Sequence, residues 1–245
     1  MAGRDREIAK GAGKAAPVSS AGEINAFLGK VRGMSAGPRP SGERGRLVFA
    51  MDATASREPS WDRACHIQGE MFQETSELGG LDIQLAYYRG FGEFKVSKWL
   101  SDSATLLSRM TGVHCLGGHT QIEKLLRHTM TETKKKKVQA VVFVGDAFEE
   151  DIDKVCHVAG ELGMQGVPVF CFHEGGDPGA GNALKQIAKL TRGAYCPFDA
   201  TSAKQLRDLL AAVAVYAAGG HKALESYSRK AGGVVLKLTD QMVRR

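Results

Sequence analysis

The sequence predicts an α/β fold: a doubly wound, mostly parallel six-stranded sheet with helices on both faces. Apolar segments of strand length alternate with amphipathic segments of helix length between residues 46 and 218. Residues 138–144 form an unbroken run rich in valine, which is typical of a central strand covered on both faces. Residues 82–98 instead alternate polar and apolar side chains around a glycine-containing turn, which predicts a hairpin and therefore one antiparallel edge strand.

The individual elements follow from these patterns in chain order. Residues 47–51 are the first predicted strand, and a helix is expected from Pro59 to about Glu77. The hairpin pairs residues 82–88 with residues 93–98. The remaining strands are predicted at residues 138–144, 167–172 and 194–198, and the remaining helices at about 101–111, 120–132, 151–163, 182–191 and 202–218.

Three regions are expected along the chain. Residues 46–218 form the folded domain, because 245 residues with 43% apolar content suffice for one buried core plus tails. Residues 1–45 are expected to be a flexible basic arm with a short amphipathic helix at about 20–33 and a Pro/Gly-rich linker, and residues 219–245 a basic extension. One face of the short helix is apolar and is predicted to dock on the domain or on a partner: Ile24, Phe27, Leu28 and Val31.

Positive charge is concentrated at the two ends of the chain. Residues 1–46 hold nine Lys/Arg against four Asp/Glu, and residues 221–245 six against two, whereas residues 47–220 hold 18 against 21. Nucleic acid binding is therefore expected only through the basic tails. No segment approaches the ~20 apolar residues that span a bilayer, no secretory signal opens the chain, and the five cysteines contain no C-x-x-C pair. A cytoplasmic protein with reduced thiols and no membrane partner is expected.

Three polar clusters lie after predicted strands or before helices, at the edge of the sheet where ligands bind. They are Asp52 with Thr54 and Ser56, then Gly117-Gly118-His119-Thr120, and then Gly145-Asp146. Together they offer two carboxylates and three hydroxyls, and no Cys/His set has the spacing of a zinc site. Such oxygen donors suit Mg²⁺, with Mn²⁺ and Ca²⁺ as alternatives, and leave a coordination position that a partner's carboxylate can fill.

With these motifs in order, the segment from about residue 46 to 218 resembles a von Willebrand factor type A (VWA) domain with a metal-ion-dependent adhesion site. The family's Asp-x-Ser-x-Ser motif reads Asp-Ala-Thr-Ala-Ser at residues 52–56, and Ala147 stands where members often have glycine. The resemblance implies a Rossmann-like sheet and a metal held by Asp52, Thr54, Ser56, Thr120 and Asp146. It further implies that the hydroxyls contact the ion directly or nearly so, while the two aspartates hold it partly through water.

The function implied is a non-enzymatic, Mg²⁺-dependent protein-binding module in which an Asp or Glu of a partner completes the metal coordination. The rim that selects this partner is predicted to be Gly117, Gly118, His119, Ala147, Glu149 and Glu150. Simple intracellular members of the family further imply a bacterial scaffold or adaptor in an assembly, with an AAA+ ATPase as a candidate partner.

Other interpretations remain open from the residues alone. Gly145-Asp146 through Asp151 resembles a motif of haloacid dehalogenase-type phosphatases, in which Asp52 would be the nucleophile; Thr54 argues against this, because most such enzymes need an acid/base aspartate there. A second alternative is an RNA- or ribonucleoprotein-associated VWA protein that uses its basic tails. In a purely structural interpretation, Asp52 caps its turn and Thr120 caps the following helix.

Overall fold

The computed structural model describes residues 44–58, 80–198 and 211–219, together with Gly22, Ala26, Gly29, Lys30 and Ala223; the side chains of Ser103 and Phe198 are excepted. Three expectations fall outside these residues: the helix at 59–77, the apolar face of Ile24, Phe27, Leu28 and Val31, and most of the two tails. Gly22, Ala26, Gly29 and Lys30 are helical.

Six strands form one sheet within the described residues: β1 (Gly45–Asp52), β2 (Leu81–Arg89), β3 (Glu93–Val96), β4 (Ala140–Gly145), β5 (Val169–Glu174) and β6 (Ala194–Phe198). Their order is β3-β2-β1-β4-β5-β6. Every neighbouring pair is parallel except β2 with β3, which is antiparallel at one edge. The predicted fold class, strand number and antiparallel edge strand are confirmed.

Five described helices cover both faces of the sheet: α1 (Ser103–Thr111), α2 (Ile122–Lys135), α3 (Ile152–Met164), α4 (Pro178–Leu190) and α5 (residues 211–219). Alternate side chains of β1 enter two separate cores, because successive residues of a strand point to opposite faces. Helices α1 and α5 pack with Leu47, Phe49 and Met51, whereas α2, α3 and α4 pack with Val48 and Ala50. The sheet is therefore doubly wound, as predicted, and none of the described helices has the length and hydropathy of a membrane span.

Several helix boundaries differ from the sequence prediction for identifiable reasons. Helix α4 begins at Pro178 instead of residue 182, because the Asp177 carboxylate accepts a hydrogen bond from the Ala180 amide and proline fits the first helical turn. Helix α2 begins at Ile122 and continues to Lys135, beyond the predicted end at residue 132. Its last turn carries Glu132, whose ion pair with Arg46 ties that end of the helix to β1.

A buried ion pair joins the amino end of β1 to the last turn of α2. The Arg46 Nη2 atom lies 2.8 Å from Glu132 Oε2, and the Arg46 guanidinium stacks 3.6 Å from the centre of the Trp99 ring. Glu132 also accepts hydrogen bonds from Trp99 Nε1 at 2.8 Å and Lys135 Nζ at 2.7 Å. Burial opposes the ionisation of Glu132, yet these three donors lower its pKa to about 2.

Glu132→Gln is expected to lower the free energy of unfolding at pH 7 by roughly 3 kcal/mol, because it leaves the buried Arg46 charge without its counter-ion. The pKa of Glu132 is lower in the folded chain than the value of about 4.3 in an unfolded one. The stabilisation is therefore present above about pH 4.3 and is lost as the pH falls toward 2. Urea unfolding across this pH range measures the effect.

The control is Glu123→Gln on the same helix, since the Glu123–Arg127 pair is largely solvent-exposed and should contribute under about 1 kcal/mol. The difference between wild type and Glu132→Gln should shrink in acid. A difference of the same size at neutral and acid pH would contradict the assignment.

Candidate functional site

Asp52 ends β1 as a fully buried carboxylate whose two oxygens both have partners. The Thr54 amide donates a hydrogen bond to Oδ1 at 2.8 Å, and the Tyr88 hydroxyl donates one to Oδ2 at 3.1 Å. Burial raises the pKa of Asp52, the Thr54 and Tyr88 hydrogen bonds oppose this rise, and the negative charge of Asp146 adds to it. The turn-capping role expected for Asp52 is thus present, but the carboxylate also lies close to a second acid.

Thr54 and Ser56 place two hydroxyl groups side by side directly after this carboxylate. The chain enters a short 3₁₀ turn, Ala55–Arg57, from an extended Thr54. The Thr54 and Ser56 hydroxyl oxygens lie 3.1 Å apart; the Thr54 side chain is buried and Ser56 is exposed. This geometry gives a row of oxygen atoms that runs from the buried end of β1 toward solvent.

Asp146 directly follows β4, one residue beyond the position level with Asp52, because β1 and β4 pair in parallel with Met51 opposite Val144. A side chain at Gly145 would displace the Phe143 ring, because a β carbon there would lie 2.7 Å from it. Oxygen Oδ1 of Asp146 is buried and has no hydrogen-bond partner among the described residues. A buried carboxylate oxygen of this kind is unfavourable unless a cation or water satisfies it.

Thr120 is tied to the loop that follows Asp146. Its hydroxyl accepts a hydrogen bond from the Glu149 amide at 2.9 Å, and its own amide donates to Glu149 Oε2 at 3.2 Å. Thr120 does not cap α2, contrary to the structural interpretation. The half-buried Glu150 carboxylate does so instead, accepting from the amides of Ile122 and Glu123 at 2.5 and 2.9 Å.

The loop that carries Thr120 crosses the ends of β1 and β2. The Leu116 amide donates to the Ala53 carbonyl at 3.0 Å, and the His119 amide donates to the Gly90 carbonyl at 3.3 Å. Gly118 packs so tightly that a β carbon would overlap the Gly90 carbonyl. The loops carrying all three predicted clusters therefore lie where the parallel strands end, which we call the carboxyl edge of the sheet.

Arg57 is a feature of this edge that the sequence reasoning missed. Its side chain is 1% exposed and forms an ion pair with Glu174 at the end of β5. Burial lowers the pKa of Arg57, and the charges of Asp146 and Asp52 oppose that shift. An arginine three residues into a predicted turn resembles an ordinary surface residue, and only its position directly after Ser56 distinguishes it.

An exposed apolar patch was also missed. Phe91, in the turn between β2 and β3, is 85% exposed and stacks edge-on against the His119 ring at 5.2 Å between ring centres. Leu116 is 53% exposed in the neighbouring loop. The signal was an aromatic residue within the turn Arg89-Gly-Phe-Gly92, where a polar residue is more usual.

The donor set limits what this edge can bind. Among the described residues, no three or more His, Cys, Asp or Glu side chains are arranged to hold a metal ion. A metal here would therefore depend on hydroxyl oxygens in addition to Asp52 and Asp146. Neutral hydroxyls with one or two carboxylates fit a hard divalent cation that retains several waters, and the unsatisfied Asp146 oxygen fits the same group.

No protein-family model matches this sequence, and a search of curated proteins finds no match. Solved structures are similar. The VWA domain of SpRpn10 aligns with a TM-score of 0.57 at 14% identity, covering 69% of this chain and 94% of that chain. The manganese-loaded TRAP protein of Plasmodium vivax aligns with a TM-score of 0.54 at 15% identity, covering 69% and 74%.

The vWF domain of the type V pili tip protein Mfa5 from Porphyromonas gingivalis gives a TM-score of 0.57 at 10% identity, covering 69% of this chain and 95% of that chain. These similarities confirm the resemblance at the level of the fold: residues of this chain form a sheet with the architecture of a VWA domain. At such identities the likeness concerns the fold, and the site must be argued from its own residues.

Gly118→Ala is expected to destabilise the chain by roughly 1–3 kcal/mol, because the added methyl group collides with backbone and forces the loop away from Gly90. Gly117→Ala is the matched control, since a β carbon there meets nothing within 4 Å. Chemical unfolding of the two variants measures the difference. Equal effects would show that the close approach of Gly118 to Gly90 does not hold this loop.

Proposed function

We propose that this chain is a non-enzymatic protein-binding module that holds Mg²⁺ through Asp52, Thr54, Ser56, Thr120 and Asp146. The observation that supports it most directly is the buried, unpartnered Asp146 oxygen beside the Asp52 carboxylate, at an edge that the exposed Ser56 opens to solvent. A hard cation satisfies that oxygen and offsets two neighbouring negative charges. Mn²⁺ and Ca²⁺ are alternatives, and one similar structure is manganese-loaded.

The chain's own residues prepare the oxygen donors. Hydrogen bonds from Thr54 and Tyr88 fix the orientation of the Asp52 carboxylate. The Thr120 hydroxyl accepts one hydrogen bond from Glu149, so a second lone pair remains for an ion or its water. When bound, the ion supplies a positive centre with an open position, which an Asp or Glu of the partner fills.

The surface around the site supports a protein partner. The predicted rim consists of Gly117, Gly118, His119, Ala147, Glu149 and Glu150. Within it, the exposed side chains of His119 and Glu149 lie 3.2 Å apart between Nδ1 and Oε2. Phe91 and Leu116 add exposed apolar area directly beside His119. Aromatic side chains next to a polar centre are typical anchors of protein interfaces. We infer that the partner presents an acidic side chain flanked by an apolar one.

The phosphatase alternative fits the geometry less well. Asp52 is fully buried, which hinders the approach of a phosphate monoester more than that of a single ion or water molecule. Thr54 occupies the acid/base position and its hydroxyl faces Ser56. Asp151, the last acid of the suggestive motif, caps α3 by accepting from the amides of Asp153 and Lys154. The RNA alternative depends on tails outside the described residues.

The cellular role rests on family-level analogy. A cytoplasmic scaffold or adaptor, with an AAA+ ATPase among its candidate partners, is the role that we propose. The similar structures include a pilus tip protein, so cell fractionation is the direct test of the compartment.

Asp146→Asn is expected to weaken Mg²⁺ and Mn²⁺ binding about tenfold or more, because it removes a charge and the unpartnered carboxylate oxygen while retaining the side-chain shape. Isothermal titration calorimetry on the chelator-stripped chain measures the affinity. Asp151→Asn is the control, since asparagine also caps helices and Asp151 serves α3 alone. Unchanged metal binding by Asp146→Asn would refute the site, and turnover of p-nitrophenyl phosphate that depends on Asp52 would favour the phosphatase.

Phe91→Ala is expected to weaken partner binding about tenfold while leaving the free energy of unfolding unchanged, because the ring is almost fully exposed. The probe is a set of peptides selected from a random library for binding in the presence of Mg²⁺ and released when the metal is chelated. These peptides should be enriched in Asp or Glu beside apolar residues. Met164→Ala is the control: it removes an equally exposed apolar side chain at the end of α3. Equal losses in both variants would argue against a specific anchor.

A further inference from the structure

Arg57 directly follows Ser56, one of the proposed metal ligands, and ends the same 3₁₀ turn. The 3₁₀ turn that carries Thr54 and Ser56 closes with the Arg57 amide donating to the Thr54 carbonyl at 3.0 Å. The Arg57 side chain turns inward and is 1% exposed. A charged side chain is seldom buried this deeply unless opposite charges surround it.

Three carboxylates provide those charges, one at each of three neighbouring strand ends. Asp52 ends β1, Asp146 follows β4, and Glu174 ends β5. The register places Met51 opposite Val144 and Gly145 opposite His173, so the three acids stand in a row along the carboxyl edge. Arg57 forms an ion pair with Glu174, and Asp146 and Asp52 are the strongest charges that favour its protonated form.

When its acids are ionised, the cluster of Arg57 with Asp52, Asp146 and Glu174 carries an excess of negative charge. A guanidinium stays protonated at neutral pH, so Arg57 contributes one positive charge against three acids. Removing the arginine would make the site more negative, and a divalent cation would then bind more tightly. Two cations that share the same buried carboxylates repel each other strongly, because few water molecules separate them.

We propose that Arg57 is a resident cation that competes with the divalent ion for Asp52 and Asp146, so that the site keeps its shape without metal and binds the ion weakly. This inference rests on the proposed function, because it concerns the same metal site.

The test is titration of Mn²⁺ into the chelator-stripped full chain by isothermal calorimetry, with melting temperatures recorded in chelator and in Mn²⁺. Arg57→Met should bind Mn²⁺ roughly tenfold or more tightly than wild type, since it removes the competing charge. It should also melt at a lower temperature in chelator and recover in Mn²⁺. Arg57→Lys keeps the charge and should bind like wild type. Glu174→Gln should bind more weakly, because the full arginine charge then falls on the two aspartates.

Arg46→Met is the matched control, since Arg46 is also buried and paired with a glutamate, but at the opposite edge of the sheet. It should lower the melting temperature without changing Mn²⁺ affinity. The inference would be overturned if Arg57→Met and wild type bind Mn²⁺ with equal affinity. If that binding also depends on Asp146, the proposed function remains intact. If neither Arg57→Met nor wild type binds Mn²⁺, the inference and the proposed function are both overturned. If Arg57→Met does not fold, weaker binding by Glu174→Gln supports the inference and unchanged binding overturns it.

Discussion

The parallel pairing of β1 with β2 on one side and β4 on the other is the constraint on which the rest of the structure depends. All eight residues of β1 are buried, and its alternate side chains enter two different cores. A shift of one residue would exchange those cores, so the register is strongly specified. Because parallel strands end at the same edge, this register places Asp52 beside Tyr88 and level with Gly145, the last residue of β4.

The two edges of the sheet use buried charge differently. At the amino edge, Arg46 and Glu132 match one positive charge with one negative charge, and Trp99 and Lys135 complete the hydrogen bonding. At the carboxyl edge, Arg57 stands among three acids, and an Asp146 oxygen has no hydrogen-bond partner within the described residues. The first arrangement is complete and stabilises the fold. The second leaves a buried oxygen without a hydrogen-bond partner, and this is the basis of our proposal that a further positive charge binds there.

Sequence periodicity was sufficient to predict the strands. An unbroken apolar run indicates a strand buried on both faces, and alternation of polar and apolar residues indicates a strand buried on one face. Periodicity was less accurate at helix ends, where single contacts decide. Asp177 starts α4 four residues before the predicted position, and the packing of Glu132 accompanies a longer α2. The candidate site was likewise predicted only in part. The clusters around Asp52, Thr120 and Asp146 were identified from their positions after strands or before helices, but the role of Glu150 in capping α2 was not.

The sequence by itself determined the fold class, the edge of the sheet at which polar groups collect, and the types of oxygen donor found there, because these follow from local pattern and strand order. Only the tertiary structure decided which groups share charge and which are exposed. Arg57 and Glu174 are far apart in the chain, and Phe91 meets His119 across two loops. Such contacts depend on the register of separate strands and on loop packing, and no local pattern of residues encodes them.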